Sequence, residues 1–278
     1  MINQTLAILR RHGVRPSKRA GQHQVVDPAI LERMVGYAGL SHDDVVLEVG
    51  AGIGNLTSLL AERASKVIAI ERDRRLVKIL RERLKGDPNV EIVHGDALRI
   101  EIPKFNKVVA NLPYGISSDI TFRLLERELE LAVLMYQLEF AKRLVAKPGS
   151  DDYSRLTVNA YYHAHVELLD EVPPAAFFPR PKVTSAIVRL KPREPPFEVV
   201  NEKIFFNVVR ALFQHRRKRV RNALYHSFGE VFPKTRLSKI ERRTMIEQKI
   251  PVELAEKKVM DLEPEKFAII ANLLAINP

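Results

Sequence analysis

The 278-residue chain contains no cysteine. This excludes disulfides, thiol nucleophiles and thiolate-bound zinc, and it fits a cytoplasmic protein. No run of about 18 apolar residues occurs, so no membrane-spanning helix and no membrane partner are expected. The opening MINQTLAILRRHGV has too short an apolar stretch for a secretory signal, and no small-residue cleavage site. Internal repeats and low-complexity tracts are also missing.

The composition that remains is ordinary for a globular protein, 46% hydrophobic and 28% charged. Its length suits one large domain, or a large domain with a smaller appendage. The sign of the charge is less ordinary, since 45 Lys and Arg against 34 Asp and Glu leave a net +11. Such an excess repels itself in a compact state, and a polyanionic partner relieves that repulsion. The excess is also clustered. QHRRKRVRNAL, residues 214–224, places Arg216, Arg217, Lys218, Arg219 and Arg221 on about one and a half predicted helical turns, a candidate grip for RNA phosphates.

Strand-like and helix-like runs alternate through the first two-thirds. Strands are predicted at DVVLEVG (44–50), KVIAIE (66–71), VEIVHGDAL (90–98), KVVANLP (107–113) and LAVLMYQ (131–137). Helices are predicted at 55–64 and 74–84, the second with leucine spacing that packs on a sheet. Uniformly apolar strands joined by helices imply a parallel sheet covered on both faces. HVELLDEV (165–172) and SAIVRLKP (185–192) read as a closing pair of strands around the Pro-rich loop VPPAAFFPRPKV. KPREPPF (191–197) reads as a stiff linker, with a helical domain over 193–278 beyond it.

In LEVGAGIGNLT (47–57), Gly50, Gly52 and Gly54 follow a strand and open a helix. The G-x-G-x-G spacing is not the dinucleotide fingerprint G-x-G-x-x-G, and with Glu48 just before it suits a nucleoside without a pyrophosphate. Glu71 ends the second strand, where a carboxylate accepts ribose hydroxyls; Asp96 follows the third, within reach of an adenine amino group. Together they predict an adenosine-bearing cofactor lying across the carboxyl ends of the strands, and S-adenosylmethionine fits. VVANLPYGISSDI (108–120) then supplies an acceptor site. The Asn111 side-chain oxygen and the Leu112 carbonyl accept the two N–H bonds of an exocyclic amine, Pro113 stiffens the loop, and Tyr114 stacks on a base turned out of its helix.

NLPY-x-I-S-S resembles the target-base motif of the rRNA adenine N6,N6-dimethyltransferases. SKRAGQHQVVD (17–27), LEVGAGIGNLT, AIERD, HGDAL, NLPY, VPPAAFFPRPKVTSAIVRLKP and FQHRRKRVRNAL follow in that family's order over roughly residues 10–225. Residues 134–159 resemble its archaeal and eukaryotic branch. The resemblance implies a Rossmann-like seven-stranded α/β methyltransferase domain over 1–192 and a small all-helical RNA-binding domain over 193–278. It implies cofactor contacts at His23, Val25, Gly50, Glu71, Asp96 and Asn111. It places the acceptor at Asn111, Leu112, Pro113 and Tyr114, with Phe177 as a second aromatic wall. Gln24-Val25 stands where the family usually has Phe-Leu. The implied activity is dimethylation of two neighbouring adenines in the 3′ hairpin of small-subunit rRNA during ribosome biogenesis, by a monomer. A large-subunit rRNA methyltransferase and an assembly or transcription factor are the alternatives. His163 and His165 are expected to share one strand face, as a surface pair and not a metal site, and Phe178 to be core.

Overall fold

A computed structural model describes residues 1–16 and 21–275. Residues 17–20 of the expected N-terminal cofactor motif lie outside the described residues. Seven strands form the main sheet: β1 (Val45–Val49), β2 (Lys66–Glu71), β3 (Val90–His94), β4 (Lys107–Asn111), β5 (Leu131–Gln137), β6 (Ala164–Val172) and β7 (Ser185–Pro192). Their order across the sheet is β3-β2-β1-β4-β5-β7-β6. β1 to β5 pair in parallel, and β7 runs antiparallel to β5 with Ala132 opposite Leu190 and Gln137 opposite Ser185. The parallel part is the sheet expected from the apolar strands, and the whole is the Rossmann-like seven-stranded arrangement that the resemblance implied. The order reverses between β1 and β4, which leaves a crevice at their carboxyl ends.

Each predicted strand forms, the one predicted at 90–98 only over Val90–His94, and in the four central strands Val46, Leu47, Val67, Ile68, Val108, Val109, Val133 and Leu134 are fully buried. Helix Pro28–Ala38 starts on an Asp27 cap with proline at its first turn and packs Ile30, Met34 and Val35 on the sheet. Helix Arg74–Arg83 buries Leu76, Val77, Ile79 and Leu80. The N-terminal helix Ile2–Arg11 packs Leu9 against Ile53, Leu76 and Ile79.

The chain divides into two compact units, one of residues 1–141 and 165–192, the other of 142–164 and 193–278. A single boundary at 192 therefore omits residues 142–164 from the helical unit. The reason is apolar: Tyr153, Val158 and Tyr162 join Phe205, Leu212 and Phe267 in one buried cluster. The Tyr153 hydroxyl also donates to the Leu262 carbonyl at 2.7 Å. Residue 163 ends the helix Arg155–His163 while His165 lies in β6, so the two histidines do not share a strand face.

The basic segment is also less helical than expected. Helix Glu202–Phe213 stops at Gln214, and the next helix begins at Val220. Between them the backbone is held by residues 257–260: Arg216 and Lys218 carbonyls accept from Met260 and Val259, and Val220 N–H donates to Lys257. These bonds replace the helical ones that a run of like charges would strain.

Candidate active site

A cavity of about 840 Å³ opens at the carboxyl ends of β1–β4, in the unit that holds the sheet. His23, Val25, Gly50, Glu71, Asp96, Asn111, Pro113 and Tyr114 all line it, so eight residues singled out from the sequence meet in one place. Leu112 is 1% exposed and Phe177 2%, and neither side chain lines the cavity.

The glycine turn is built by conformation and by close approach. Gly50, Gly52 and Gly54 have φ of 80°, 62° and 88°. A β-carbon on Gly50 would stand 3.2 Å from Pro113 Cδ, and one on Gly52 would stand 2.2 Å from Gln24 Oε1. Any side chain at either position is therefore strained twice over. Gln24, where the family usually carries phenylalanine, is buried, and its Oε1 accepts the Ile53 N–H at 3.3 Å. The polar replacement thus props the turn it covers.

Glu71 reaches back from β2 to the same turn. Its two oxygens accept the N–H groups of Gly52 at 2.9 Å and Asp73 at 2.7 Å. Burial raises its pKa above the ordinary range even against those bonds. Glu48 is buried, accepts from the Thr57 hydroxyl at 2.6 Å, and is pushed up to about 8 by burial. Asp96 accepts the Leu98 N–H at 3.0 Å and lies 3.6 Å from the Arg72 guanidinium. Asp96 lines the cavity two residues past the end of β3.

On the opposite wall Asn111 donates from Nδ2 to the His23 carbonyl at 2.7 Å. A carbonyl can only accept, so this contact sets the amide's orientation and leaves Oδ1 as an acceptor. Tyr114 shares a 2.7 Å hydrogen bond with the Ser185 hydroxyl. Burial raises its phenol above the usual range, so it stays neutral at physiological pH. The His23 ring stacks on Tyr114, with centroids 5.6 Å apart and planes at 26°, and its Nδ1–H donates to the Pro179 carbonyl at 2.6 Å.

Residues 21–25 therefore touch both walls. Gln22 donates to Asp73 on one side at 3.0 Å, while His23 holds Asn111 and Tyr114 on the other. Val25 pairs with Phe177 and Gln24 with Phe178 in a two-stranded antiparallel ribbon. Phe177 points from that ribbon into the sheet core with Ile30 and Met34, which corrects its expected place as a cavity wall. Phe178 packs partly buried beside Leu9 and Ile53.

The sequence reading missed a buried polar cluster behind the turn. Asn55 donates to the Thr5 hydroxyl at 3.2 Å and the Val25 carbonyl at 3.0 Å, while Arg83 donates to Asn55 Oδ1 at 3.1 Å and to the Ile53 carbonyl. An asparagine directly after the third glycine was the one local signal; Thr5 and Arg83 had none.

Comparisons with known proteins identify the family. The family model described as ribosomal RNA adenine dimethylase matches residues 14–260. A probable ribosomal RNA small subunit methyltransferase A of Methanothermobacter thermautotrophicus is 48% identical over 275 residues, covering 98% of this chain and 96% of its own. One from Methanosarcina mazei is 46% identical over 268 residues, covering 96% of each. Among solved structures, a dimethyladenosine transferase from Plasmodium falciparum aligns with a TM-score of 0.75 at 32% identity, covering 90% of this chain and 96% of its own. The 23S rRNA methyltransferase ErmE aligns at 0.65 and 32%, covering 90% and 99%. The chain belongs to the ribosomal RNA adenine dimethylase family and is an rRNA adenine N6,N6-dimethyltransferase, in a family whose methyl donor is S-adenosylmethionine.

Proposed function

We propose that this enzyme dimethylates N6 of two adjacent adenines in the 3′-terminal hairpin of small-subunit rRNA, as a cytoplasmic monomer acting during ribosome biogenesis. The observation that carries the adenine chemistry is the orientation of Asn111, whose Nδ2 is committed to the His23 carbonyl so that Oδ1 accepts. The choice of the small subunit is supported by the names of the archaeal relatives.

The donor wall fits the cofactor by its donor and acceptor set. Gly50 would let the backbone approach the bound group, Glu71 would hold its ribose hydroxyls, Asp96 its adenine amine, and the backbone of His23 and Val25 its methionine end. Bound S-adenosylmethionine supplies an electrophilic methyl group, so the protein's task is to aim and activate the acceptor nitrogen. Asn111 Oδ1 and the Leu112 carbonyl accept its two N–H bonds, which draws the lone pair out of conjugation and stabilises the positive charge that develops there. The target adenine stacks on the Tyr114 face that His23 does not cover. Phe177 supports this arrangement from behind through its pairing with Val25. At Gly115 no atom lies within 4 Å of where a β-carbon would stand, which leaves room for an amine that already carries one methyl group.

The helical unit, through Arg216, Arg217, Lys218, Arg219 and Arg221, adds phosphate contacts that help select the RNA. The reading is tested by incubating the protein with labelled cofactor and unmodified small subunits, then mapping the product. Two doubly methylated adjacent adenines near the 3′ end are expected. Label confined to large-subunit RNA would overturn the assignment in favour of an ErmE-like substrate.

A further inference from the structure

Helix Arg74–Arg83 has a second face that neither folding nor the cavity uses. Arg74, Lys78 and Arg81 are exposed at successive i+4 and i+3 steps, and exposed Lys85 follows in the turn after the helix. At 1.5 Å per residue the four span about 16 Å along one line. None of them has an ion pair or side-chain hydrogen bond among the described residues. Of the acidic groups nearby, Asp73 binds Arg75 and Gln22, Glu82 faces Arg11 at 3.7 Å and His12 at 3.6 Å, and Asp87 forms no ion pair with Lys85 among the described residues.

This pattern works against the stability of the helix. Arg74–Lys78 and Lys78–Arg81 are like-charged neighbours on one face, and such pairs cost roughly 0.2–0.5 kcal/mol each. Arg74 stands at the positive end of the helix dipole, where an acidic residue would be favoured and the first turn has none. The opposite face needs no such charge, because Leu76, Val77, Ile79 and Leu80 already anchor the helix to the sheet. The first turn of the same helix borders the cavity through Arg75 and Leu76.

We propose that Arg74, Lys78, Arg81 and Lys85 form a phosphate-binding stripe, a second rRNA surface carried by the unit that holds the active site. The proposal rests on the rRNA reading above and adds where the RNA is held beyond the reacting base. Four unpaired cations in a row match a nucleic acid backbone, whose phosphates repeat along one direction and release counterions when neutralised. In a family that acts on ribosomal RNA, that backbone is the polyanion the enzyme meets.

The test uses the full chain with all four residues replaced by glutamine (Arg74→Gln, Lys78→Gln, Arg81→Gln, Lys85→Gln) and an in-vitro transcript of small-subunit rRNA. The slope of log affinity against log salt should become shallower by roughly 3–4, with affinity down about ten-fold or more at fixed salt. The melting temperature should hold or rise as like-charge repulsion is removed, and cofactor affinity and kcat at saturating RNA should match the parent. An unchanged slope with unchanged affinity would overturn the stripe. So would unchanged binding to the bare transcript with weakened binding to assembled subunits, which would assign the face to a ribosomal protein. Failure of the parent enzyme to methylate small-subunit RNA is a separate result: it removes the substrate reading, while the change in slope still scores the stripe.

Discussion

Two stretches of this chain are dense in cations, residues 74–85 and 214–221, and the fold treats them differently. In the second, the Arg216 guanidinium donates to the Asp151 carbonyl at 2.7 Å and the Ser150 carbonyl at 3.0 Å. Arg219 and Arg221 both clamp Glu256. Only Arg217 and Lys218 lack an ion pair or side-chain hydrogen bond there among the described residues. In the first, four cations have no such partner. Charge counted in a sequence is thus not charge of one kind. Tethered side chains have already lost much of their rotamer freedom and present phosphates with a fixed geometry, while untethered ones supply field and salt dependence.

The comparison is sharpened first by separating both regions from the chemistry. Asn111→Ala should lower kcat by about 10²–10³, the range for loss of one transition-state-stabilising group, and leave the salt slope of RNA binding unchanged. Methyl transfer at the parent rate would remove Asn111 from the acceptor site. A second control lies inside the sheet. Glu48 is protonated in the folded state up to about pH 8 but ionises near 4.5 when unfolded, so its burial makes stability fall as pH rises through that window. Glu48→Gln should flatten that fall in thermal unfolding followed against pH, and should alter neither RNA slope.

The tethered turn itself is probed at Arg216. Arg216→Ala strands two carbonyls and should cost about 1–3 kcal/mol in denaturant unfolding. Arg217→Ala and Lys218→Ala should cost almost nothing in stability and reduce the salt slope by roughly one each. Equal stability losses at all three positions would erase the distinction between tethered and untethered cations. The smallest effect is expected from Glu256→Ala, which frees Arg219 and Arg221 and should steepen the RNA slope by about one, while stability changes by about 0–1 kcal/mol. A shallower slope would mean that Glu256 holds the two arginines in their binding geometry.

Much of the fold was legible because buried strands are mostly apolar. KVIAIE, LAVLMYQ and SAIVRLKP form strands at their expected limits. Helix Asn55–Ala61 is three residues shorter than its leucine pattern suggested, since periodicity does not mark where a helix frays. Part of the cavity lining was legible for a related reason: Gly50, Glu71, Asp96 and Asn111 each sit at or just past a strand's end, and topology alone brings strand ends together. Contacts between residues distant in sequence were not legible. Nothing near Asn111 announces that a carbonyl 88 positions away orients its amide. Nothing near Phe177 says which face of a two-residue ribbon turns inward, and 142–164 join the helical unit through aromatic packing that a Pro-rich linker at 191–197 conceals.

The short segment 21–25 has a consequence for how the two ligands sense one another. It is bonded to the donor wall through Gln22 and Gln24 and to the acceptor wall through His23. A ligand that stiffens it from one side lowers the entropic cost of ordering the other. The favour is reciprocal: whatever factor the cofactor gains for adenine, adenine returns to the cofactor. Because the same few residues are bonded to both walls, order imposed on one side of the cavity is carried to the other.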